Sequence, residues 1–136
     1  MKKGLIVEDH PDMLDVLSRQ LEMLGFAVIT ASNGADGVEK AIGEKCDIIL
    51  MDIMMPGMDG REATRRIRAN PTSKDIPILA TTVLFRQSEL NKCIEAGCND
   101  YMVKPFTFKE LREKIKEILP NHVISTPGVV PRGRPK

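Results

Sequence analysis

Carboxylates follow two apolar segments that have the length of β-strands. Residues 5–7 run into Glu8 and Asp9, and residues 48–51 run into Asp52. The carboxyl ends of parallel strands meet at one edge of a sheet, and this edge is where open α/β folds bind ligands. Three carboxylates held together repel one another, and a divalent cation coordinated by oxygen relieves that repulsion. The spacing therefore predicts a Mg²⁺ site formed by Glu8, Asp9 and Asp52.

Two further polar side chains end predicted strands. Thr82 ends the segment 77–82, and Lys104 follows residues 101–103. A hydroxyl and an ammonium beside a metal-bound acid suit a transferred phosphoryl group, because charge develops on its equatorial oxygens. The set predicts Asp52 as a nucleophile, with Thr82 and Lys104 as phosphate ligands. Alternatively, each residue has only a local structural role. Asp52 would form a turn, Thr82 would supply a hydroxyl at a strand end, and Lys104 would be a surface charge.

The elements that must position these residues alternate between strand and helix. Apolar residues at helical spacing, such as Leu14, Leu17, Leu21 and Leu24 before Gly25, separate the strands. Parallel strands need crossovers of this length, and such crossovers are right-handed. The pattern predicts one α/β domain, with five helices on the two faces of a five-stranded parallel sheet. The strands are expected at residues 5–7, 26–31, 46–52, 77–82 and 101–103.

Particular residues predict helix starts and buried faces. Asp59 is expected to cap a helix over residues 60–69, and Thr107 with Glu110 forms the pattern of a capping box. In the second and fourth helices, the apolar residues that mark the predicted inner face are Val38, Ala41, Ile42, Leu90 and Ile94.

Composition excludes several classes of protein. The chain of 136 residues, 42% of them hydrophobic, suits a single domain, and it has neither a run of membrane length nor a signal peptide. We therefore expect a cytoplasmic protein with no membrane partner.

Three cysteines without a Cys-x-x-Cys pair indicate neither a disulfide framework nor a zinc site. Leaving out the three basic residues beyond position 130 changes the net charge from +1 to −2, so residues 1–119 are no general polyanion binder.

Four motifs in this order resemble the receiver domain of bacterial two-component response regulators, over about residues 3–119. They are Leu-Ile-Val-Glu-Asp at 5–9, Asp-Ile-Ile-Leu-Met-Asp-Ile-Met-Met-Pro-Gly-Met-Asp-Gly at 47–60, Ile-Pro-Ile-Leu-Ala-Thr-Thr at 76–82, and Ala-Gly-Cys-Asn-Asp-Tyr-Met-Val-Lys-Pro-Phe at 96–106. The resemblance implies a doubly wound, flavodoxin-like sheet with strand order 2-1-3-4-5.

The resemblance also implies a role for each site residue. A histidine kinase or phosphotransfer protein would phosphorylate Asp52. Asp9 and Asp52 would bind Mg²⁺ directly, together with the backbone carbonyl of Met54, and Glu8 would act through water. The domain would be a phosphoacceptor that supports its own phosphorylation and slow dephosphorylation, rather than an enzyme acting on a separate substrate.

The resemblance further implies that phosphorylation operates a conformational switch. Thr82 and Lys104 would hold the phosphoryl oxygens, Tyr101 would be the aromatic switch residue, and the Lys104–Pro105 peptide would be cis. The face formed by the fourth helix, fifth strand and fifth helix would bind a downstream protein or a second copy of the domain. We expect mixed charges on the last helix to form part of that face: Lys109, Arg112, Glu113, Lys116 and Glu117.

Apolar residues depart from the family pattern beside the site. Val83 stands where the family usually has a small residue, and its bulk is expected to narrow access for phosphate. Met54 and Leu84 place apolar side chains where related proteins often have polar groups. Residues 83–85 are equally consistent with core packing and with partner docking.

Two other functions are weaker alternatives. A phosphohydrolase of the haloacid dehalogenase type would need an acid two residues after the nucleophile, and Met54 occupies that position. A flavodoxin-like cofactor binder would need a phosphate loop after the first strand, where Glu8 and Asp9 would instead repel phosphate.

The C-terminal residues 120–136 read as a proline-rich basic tail or linker outside the receiver domain, which is expected at 1–119. Residues 131–136, Pro-Arg-Gly-Arg-Pro-Lys, resemble an AT-hook that binds the minor groove of A·T-rich DNA. Short basic motifs are frequent, so a linker is favoured over this DNA-binding alternative.

Overall fold

A computed structural model of the chain describes residues 1–122, and the AT-hook-like motif at 131–136 lies outside them. Strands and helices alternate along the described part, as the sequence predicts. The elements are β1 (Lys2–Val7), α1 (Pro11–Met23), β2 (Phe26–Ala31), α2 (Gly34–Gly43), β3 (Ile48–Asp52), α3 (Gly60–Ala69), β4 (Ile78–Thr82), α4 (Gln87–Ala96), β5 (Asp100–Val103) and α5 (Phe108–Ile118).

The five strands form one parallel sheet in the order β2-β1-β3-β4-β5. This confirms the doubly wound topology and the predicted strand order. Every residue of β3 is buried, as expected for a central strand covered on both faces. The order reverses between β1 and β3, and a crevice opens outside the carboxyl ends of strands at such a switch point.

Alternating side chains of the strands divide the core into two layers. One layer joins the sheet to α2, α3 and α4, and its members include Leu5, Val7, Ile49, Met51, Ala63 and Ile67. The other joins the opposite face to α1 and α5, and its members include Ile6, Leu17, Leu21, Leu50, Leu111 and Ile115. The carboxyl edge of the sheet is therefore set by rigid packing from both sides.

Two predicted helix starts are present. The Asp59 side chain accepts a hydrogen bond from the Glu62 amide at 3.0 Å and caps α3. At α5, Thr107 Oγ1 accepts from the Glu110 amide at 3.0 Å, and Glu110 Oε1 accepts from the Thr107 amide at 2.7 Å. The predicted capping box is confirmed.

Arg68, near the end of α3, joins this helix to the segment before β4 and to the segment between α4 and β5. Its guanidinium donates four hydrogen bonds, to the carbonyls of Gly97 (2.9 Å), Lys74 (2.9 Å) and Ile76 (2.6 Å) and to Asn99 Oδ1 (2.9 Å). Gly97 has φ +122°, and a Cβ there would lie 2.8 Å from Arg68 Cγ. Glycine is thus required both by the backbone and by the arginine packed on it.

The predicted inner faces of two helices are partly wrong. Ile42 is 37% exposed and Ile94 is 43% exposed. Each lies one residue beyond a buried residue, Ala41 and Cys93, so each side chain is rotated about 100° away from the core. Spacing alone did not decide between the two neighbouring stripes on such short helices.

Cys46, Cys93 and Cys98 are free and buried. Burial raises the pKa of the Cys46 and Cys98 thiols to about 11, which fits a structural role. Within residues 1–122, none of the helices is both long enough and apolar enough to span a membrane.

Candidate functional site

The three predicted carboxylates meet at the carboxyl ends of β1 and β3. Asp52 is the last residue of β3, and Glu8 and Asp9 directly follow β1. One carboxylate oxygen from each residue lies within 4.8 Å of the other two. Glu8 and Asp52 are buried, whereas Asp9 is exposed, so the cluster opens to solvent on the Asp9 side. Such a set of hard oxygen donors fits Mg²⁺.

Lys104 reaches this cluster from the end of β5. Its Nζ lies 2.9 Å from Glu8 Oε1 and 3.2 Å from Asp52 Oδ1. The backbone amide of Lys104 donates to the Thr82 carbonyl at 2.7 Å, which holds the residue beside the end of β4. The Lys104–Pro105 peptide is cis, as the resemblance implies. One ammonium among three carboxylates leaves two formal negative charges, which a divalent cation would balance.

Burial dominates the electrostatics of Asp52. Its pKa is raised from 3.8 to about 6, chiefly because burial penalises the charged form, and the nearby Glu8 carboxylate raises it further. The attraction of Lys104 acts in the opposite direction and does not cancel these effects. The protein therefore holds Asp52 as an acid whose charged form needs further stabilisation.

Both carboxylate oxygens of Glu8 accept hydrogen bonds from the protein. Oε1 accepts from Lys104 Nζ, and Oε2 accepts from the His10 amide at 3.1 Å. Glu8 is consequently committed to positioning Lys104 and the turn after β1. Asp9, which faces solvent, has no such constraint on its access to a ligand.

Thr82 and Tyr101 lie near the cluster but outside the cavity over it. Thr82 ends β4 next to β3, is 1% exposed, and its Oγ1 accepts from the Leu84 amide at 3.0 Å. Tyr101 is half-buried on β5 and pairs with Ala80, two residues before Thr82. The structure thus joins Glu8, Asp9, Asp52 and Lys104 directly, and puts the other two on neighbouring strands.

A cavity of about 350 Å³ lies over Asp52. Besides the four charged residues, it is lined by Met54 and Val83, whose residues are 51% and 57% exposed. Phe85 is 78% exposed, so core packing is the wrong interpretation for Val83 and Phe85. His10 and Met13 also line the cavity, and sequence reasoning missed both. The only signal for them was position: His10 directly follows Asp9, and Met13 lies in the first turn of α1.

A second, larger groove of about 590 Å³ lies between β5 and α5. Its lining combines the aromatic side chains of Tyr101 and Phe106 with charged residues of α5 that include Lys109, Glu113 and Glu117. Arg112 and Lys116, which were expected on the same surface, are not among the lining residues. The Arg112 side chain is only 36% exposed and lies 3.5 Å from Glu113 Oε2.

The family model described as the response regulator receiver domain matches residues 5–116. The chain belongs to this family. Receiver domains act in signal transduction, so the chain is a signalling domain of the two-component type. The phosphohydrolase and cofactor-binding alternatives are not favoured.

Individual relatives agree with this assignment. The receiver is 36% identical over 127 residues to the alkaline phosphatase synthesis transcriptional regulatory protein PhoP of Bacillus subtilis, covering 93% of this chain and 52% of PhoP. It is 36% identical over 119 residues to protein PilH of Pseudomonas aeruginosa, covering 88% of this chain and 98% of PilH. The chain spans about half the length of the transcriptional regulators that it matches.

A solved structure shares the fold closely. The receiver domain of sensor histidine kinase PA1611 from Pseudomonas aeruginosa superposes with a TM-score of 0.80 and 34% sequence identity, over 89% of this chain and 100% of that one. That structure is described as having a magnesium ion coordinated in the active site cleft. The present receiver has an acidic cluster, formed by Glu8, Asp9 and Asp52, whose oxygens lie close enough together to hold a metal ion.

Proposed function

We propose that this receiver accepts a phosphoryl group on Asp52, from a histidine kinase or a phosphotransfer protein, in a reaction that depends on Mg²⁺. The observation that carries the proposal is the meeting of three carboxylates with Lys104 around Asp52 at the edge of the sheet. Glu8 and Asp52 are both buried and both line the cavity. Both oxygens of Glu8 already accept hydrogen bonds, whereas Asp52 contacts Lys104 through Oδ1 alone, so Asp52 is the favoured nucleophile of these two.

The metal would be held by Asp9 and Asp52 directly, with the backbone carbonyl of Met54 as a third protein ligand. Glu8 would act through water, because both of its oxygens already accept hydrogen bonds from Lys104 and the His10 amide. When bound, Mg²⁺ would neutralise the carboxylates and the oxygens of the incoming phosphate.

In the transfer, a carboxylate oxygen of Asp52 attacks phosphorus, a P–O bond forms, and the P–N bond to the donor histidine breaks. Lys104 is placed to contact a phosphoryl oxygen, since its Nζ already lies 3.2 Å from Asp52 Oδ1. The Thr82 hydroxyl would reach another phosphoryl oxygen. The exposed side chains of Met54 and Val83 would narrow the approach to Asp52 and slow exchange with small donors.

Signalling would follow from the movement of Thr82. Drawing its hydroxyl towards the phosphoryl group would leave a space next to Tyr101, whose half-buried ring lies on the neighbouring strand and could turn inward. This would reshape the groove between β5 and α5, and with it the face formed by α4, β5 and α5. The change would be a shift in populations rather than an all-or-none transition.

A second copy of the domain is one partner that this face suits. Lys109, Glu113 and Glu117 line the same groove, so residues of both signs are available for pairing in a symmetric dimer. A downstream protein or output domain is the other candidate.

We further infer that residues 1–119 form the receiver and that residues 120–136 serve as a tail or linker. The protein is proposed to work in the cytoplasm, where free thiols persist.

The test of the proposal uses a small-molecule phosphodonor, Mg²⁺ and intact-mass measurement. One phosphoryl group should be added to the unmodified protein, and none to Asp52→Asn or to the unmodified protein in EDTA. Undiminished phosphorylation in either control would overturn the proposal.

The switch is tested separately with a beryllofluoride complex observed by NMR. Amide signals of Thr82, Tyr101 and residues 84–116 should shift, and self-association or partner binding should change. Shifts confined to the immediate surroundings of Asp52, with no change in association, would leave the site in place but refute the switch.

A further inference from the structure

The loop between β3 and α3, residues 53–59, contains the Met54 carbonyl, which the proposed function makes a ligand of Mg²⁺. The start of this loop is held by hydrogen bonds, because the Ile53 carbonyl accepts from the Met55 amide at 3.2 Å and from the Gly60 amide at 3.0 Å. Met55 is buried, but Met54 is exposed. Exposed loop positions with few contacts move more easily than a packed strand. The contacts of the rest of the loop therefore decide where the Met54 carbonyl lies.

The backbone of α2 lies directly against the other end of the loop. Gly34 is the first residue of α2 and is buried. A Cβ built on Gly34 would lie 2.6 Å from the Met58 carbonyl oxygen and 3.1 Å from both Cβ and Cγ of Met58. Real Cβ atoms essentially never lie closer than 3.0 Å to such an atom, so a side chain at position 34 would have to displace the Met58 backbone. The loop occupies its place because position 34 has no side chain.

Neither α2 nor the C-terminal end of the loop has room to absorb such a displacement. At Gly37, the backbone of α2 lies so close to β1 that an added Cβ would be 2.8 Å from side-chain carbons of that strand. A Cβ on Gly60, directly after the loop, would collide with the carbonyl oxygen of Asp52. We therefore expect a displaced Met58 to move residues 54–57, which include the carbonyl proposed to bind the metal.

We propose that Gly34 is a positioning residue for Mg²⁺ binding. Its lack of a side chain lets α2 support the loop at Met58, and this support sets the Met54 carbonyl where it can hold the metal together with Asp52. The inference rests on the proposed role of Met54 as a ligand. Mg²⁺ requires nearly ideal octahedral geometry, so its affinity is sensitive to small displacements of one ligand. Gly34 thus acts from the second strand–helix pair on a ligand that belongs to the third.

Gly34→Ala tests the inference, and Gly43→Ala is the matched control in the same helix. A Cβ on Gly43 would meet nothing within 4 Å. Alanine forms helices better than glycine, so helix propensity alone predicts no loss from either substitution. An NMR titration with Mg²⁺ at constant ionic strength should give an affinity about tenfold lower for Gly34→Ala, the usual size of the effect when a group that orients a metal ligand is disturbed. The Mg²⁺ affinity of Gly43→Ala should stay within about twofold of the unmodified protein.

Two further readouts separate positioning from a merely structural role. In the absence of Mg²⁺, Gly34→Ala should shift the amide signals of residues 54–58. Urea unfolding in EDTA measures the stability of each variant, and a merely structural role would change that stability without changing the Mg²⁺ affinity of the folded molecules. If Gly34→Ala does not fold, the unmodified protein decides: Mg²⁺ should shift the amide signals of Gly34 and Met58 but not that of Gly43.

The outcomes distinguish this inference from the proposed function. Equal Mg²⁺ affinity in the unmodified protein and in Gly34→Ala would overturn the role of Gly34 and leave the proposed function in place. The same holds if the metal-free spectrum of Gly34→Ala changes at residues 8–9 but not at residues 54–58, or if Gly34 in the unmodified protein does not respond to Mg²⁺. An unmodified protein that binds no Mg²⁺ would instead contradict the proposed function, and this inference with it.

Discussion

Replacing Asp52 by asparagine should make the metal-free protein more stable at neutral pH. Asp52 is 4% exposed, and its ionised form is penalised by burial and by the neighbouring Glu8 carboxylate more than Lys104 compensates. Asparagine has nearly the same shape and carries no charge. The site therefore contains a charge that weakens the fold, which is expected of a group kept for chemistry rather than for stability.

The size and pH dependence of this effect follow from the raised pKa. The carboxyl titrates at about 6 in the fold against an ordinary value of 3.8. A pKa difference of about two units means that ionised Asp52 lowers the free energy of unfolding by about 3 kcal/mol. This penalty is present in full above pH 6 and absent below the pKa that the carboxyl has in the unfolded chain. This pKa already includes the attraction of Lys104, and asparagine is close in shape to the protonated acid, so the asparagine variant is expected to gain ~1–3 kcal/mol of stability at pH 7.5. The gain should shrink by up to about 2 kcal/mol at pH 4.5, where Asp52 is largely protonated in the fold.

Urea unfolding at pH 7.5 and pH 4.5, with EDTA present, measures both quantities. Asp75→Asn is the control, because that side chain is 87% exposed, and its effect should stay within about 0.5 kcal/mol at both pH values. Adding Mg²⁺ at pH 7.5 should stabilise the unmodified protein and reduce the advantage of the asparagine variant. A variant that is no more stable at pH 7.5, or whose gain does not depend on pH, would refute this account of Asp52.

Three other substitutions test separate parts of the molecule. Lys104→Ala removes the ammonium that competes for the carboxylates, so calorimetry should find Mg²⁺ affinity retained or increased while the NMR response to beryllofluoride is lost; a loss of Mg²⁺ affinity would show that the lysine has been given the wrong role. Arg68→Ala removes the side-chain donor to three backbone carbonyls and one of the two donors to Asn99 Oδ1, and it should cost ~2–4 kcal/mol in urea unfolding, whereas exposed Arg66→Ala should cost less than about 1 kcal/mol. Thr107→Ala breaks the capping box and should cost about 1 kcal/mol, and an unchanged unfolding midpoint would contradict that.

Much of the site was predictable because its residues end strands. In a parallel sheet, an acid that directly follows an apolar strand lies at the edge formed by the carboxyl ends of the strands, and Glu8, Asp9 and Asp52 meet at that edge. The alternation of strand and helix and the capping residues Asp59 and Thr107 were readable for similar reasons, since each depends on local sequence. The strand order came from the resemblance of the motifs rather than from periodicity.

Features that depend on where distant segments meet were not predictable. Nothing near Arg68 indicates that it joins α3 to Gly97 and Asn99, because those partners are 29 and 31 residues away. The stack of His122 on Phe26 likewise depends on how α5 crosses the sheet. Ile94 is exposed because α4 contacts the sheet through the row of residues that contains Leu90 and Cys93. The row that contains Leu90 and Ile94 also has helical spacing, so spacing did not decide between the two rows.

The most direct test of the central claim is to locate the phosphoryl group within the chain. An acyl phosphate can be reduced by borohydride to an alcohol, which converts a phosphorylated aspartate into homoserine at the same position. After treatment with a phosphodonor and Mg²⁺, peptide sequencing by mass spectrometry should find homoserine at position 52 and nowhere else. Reduction at Asp9, or a phosphoryl group carried by His10 instead, would contradict the account.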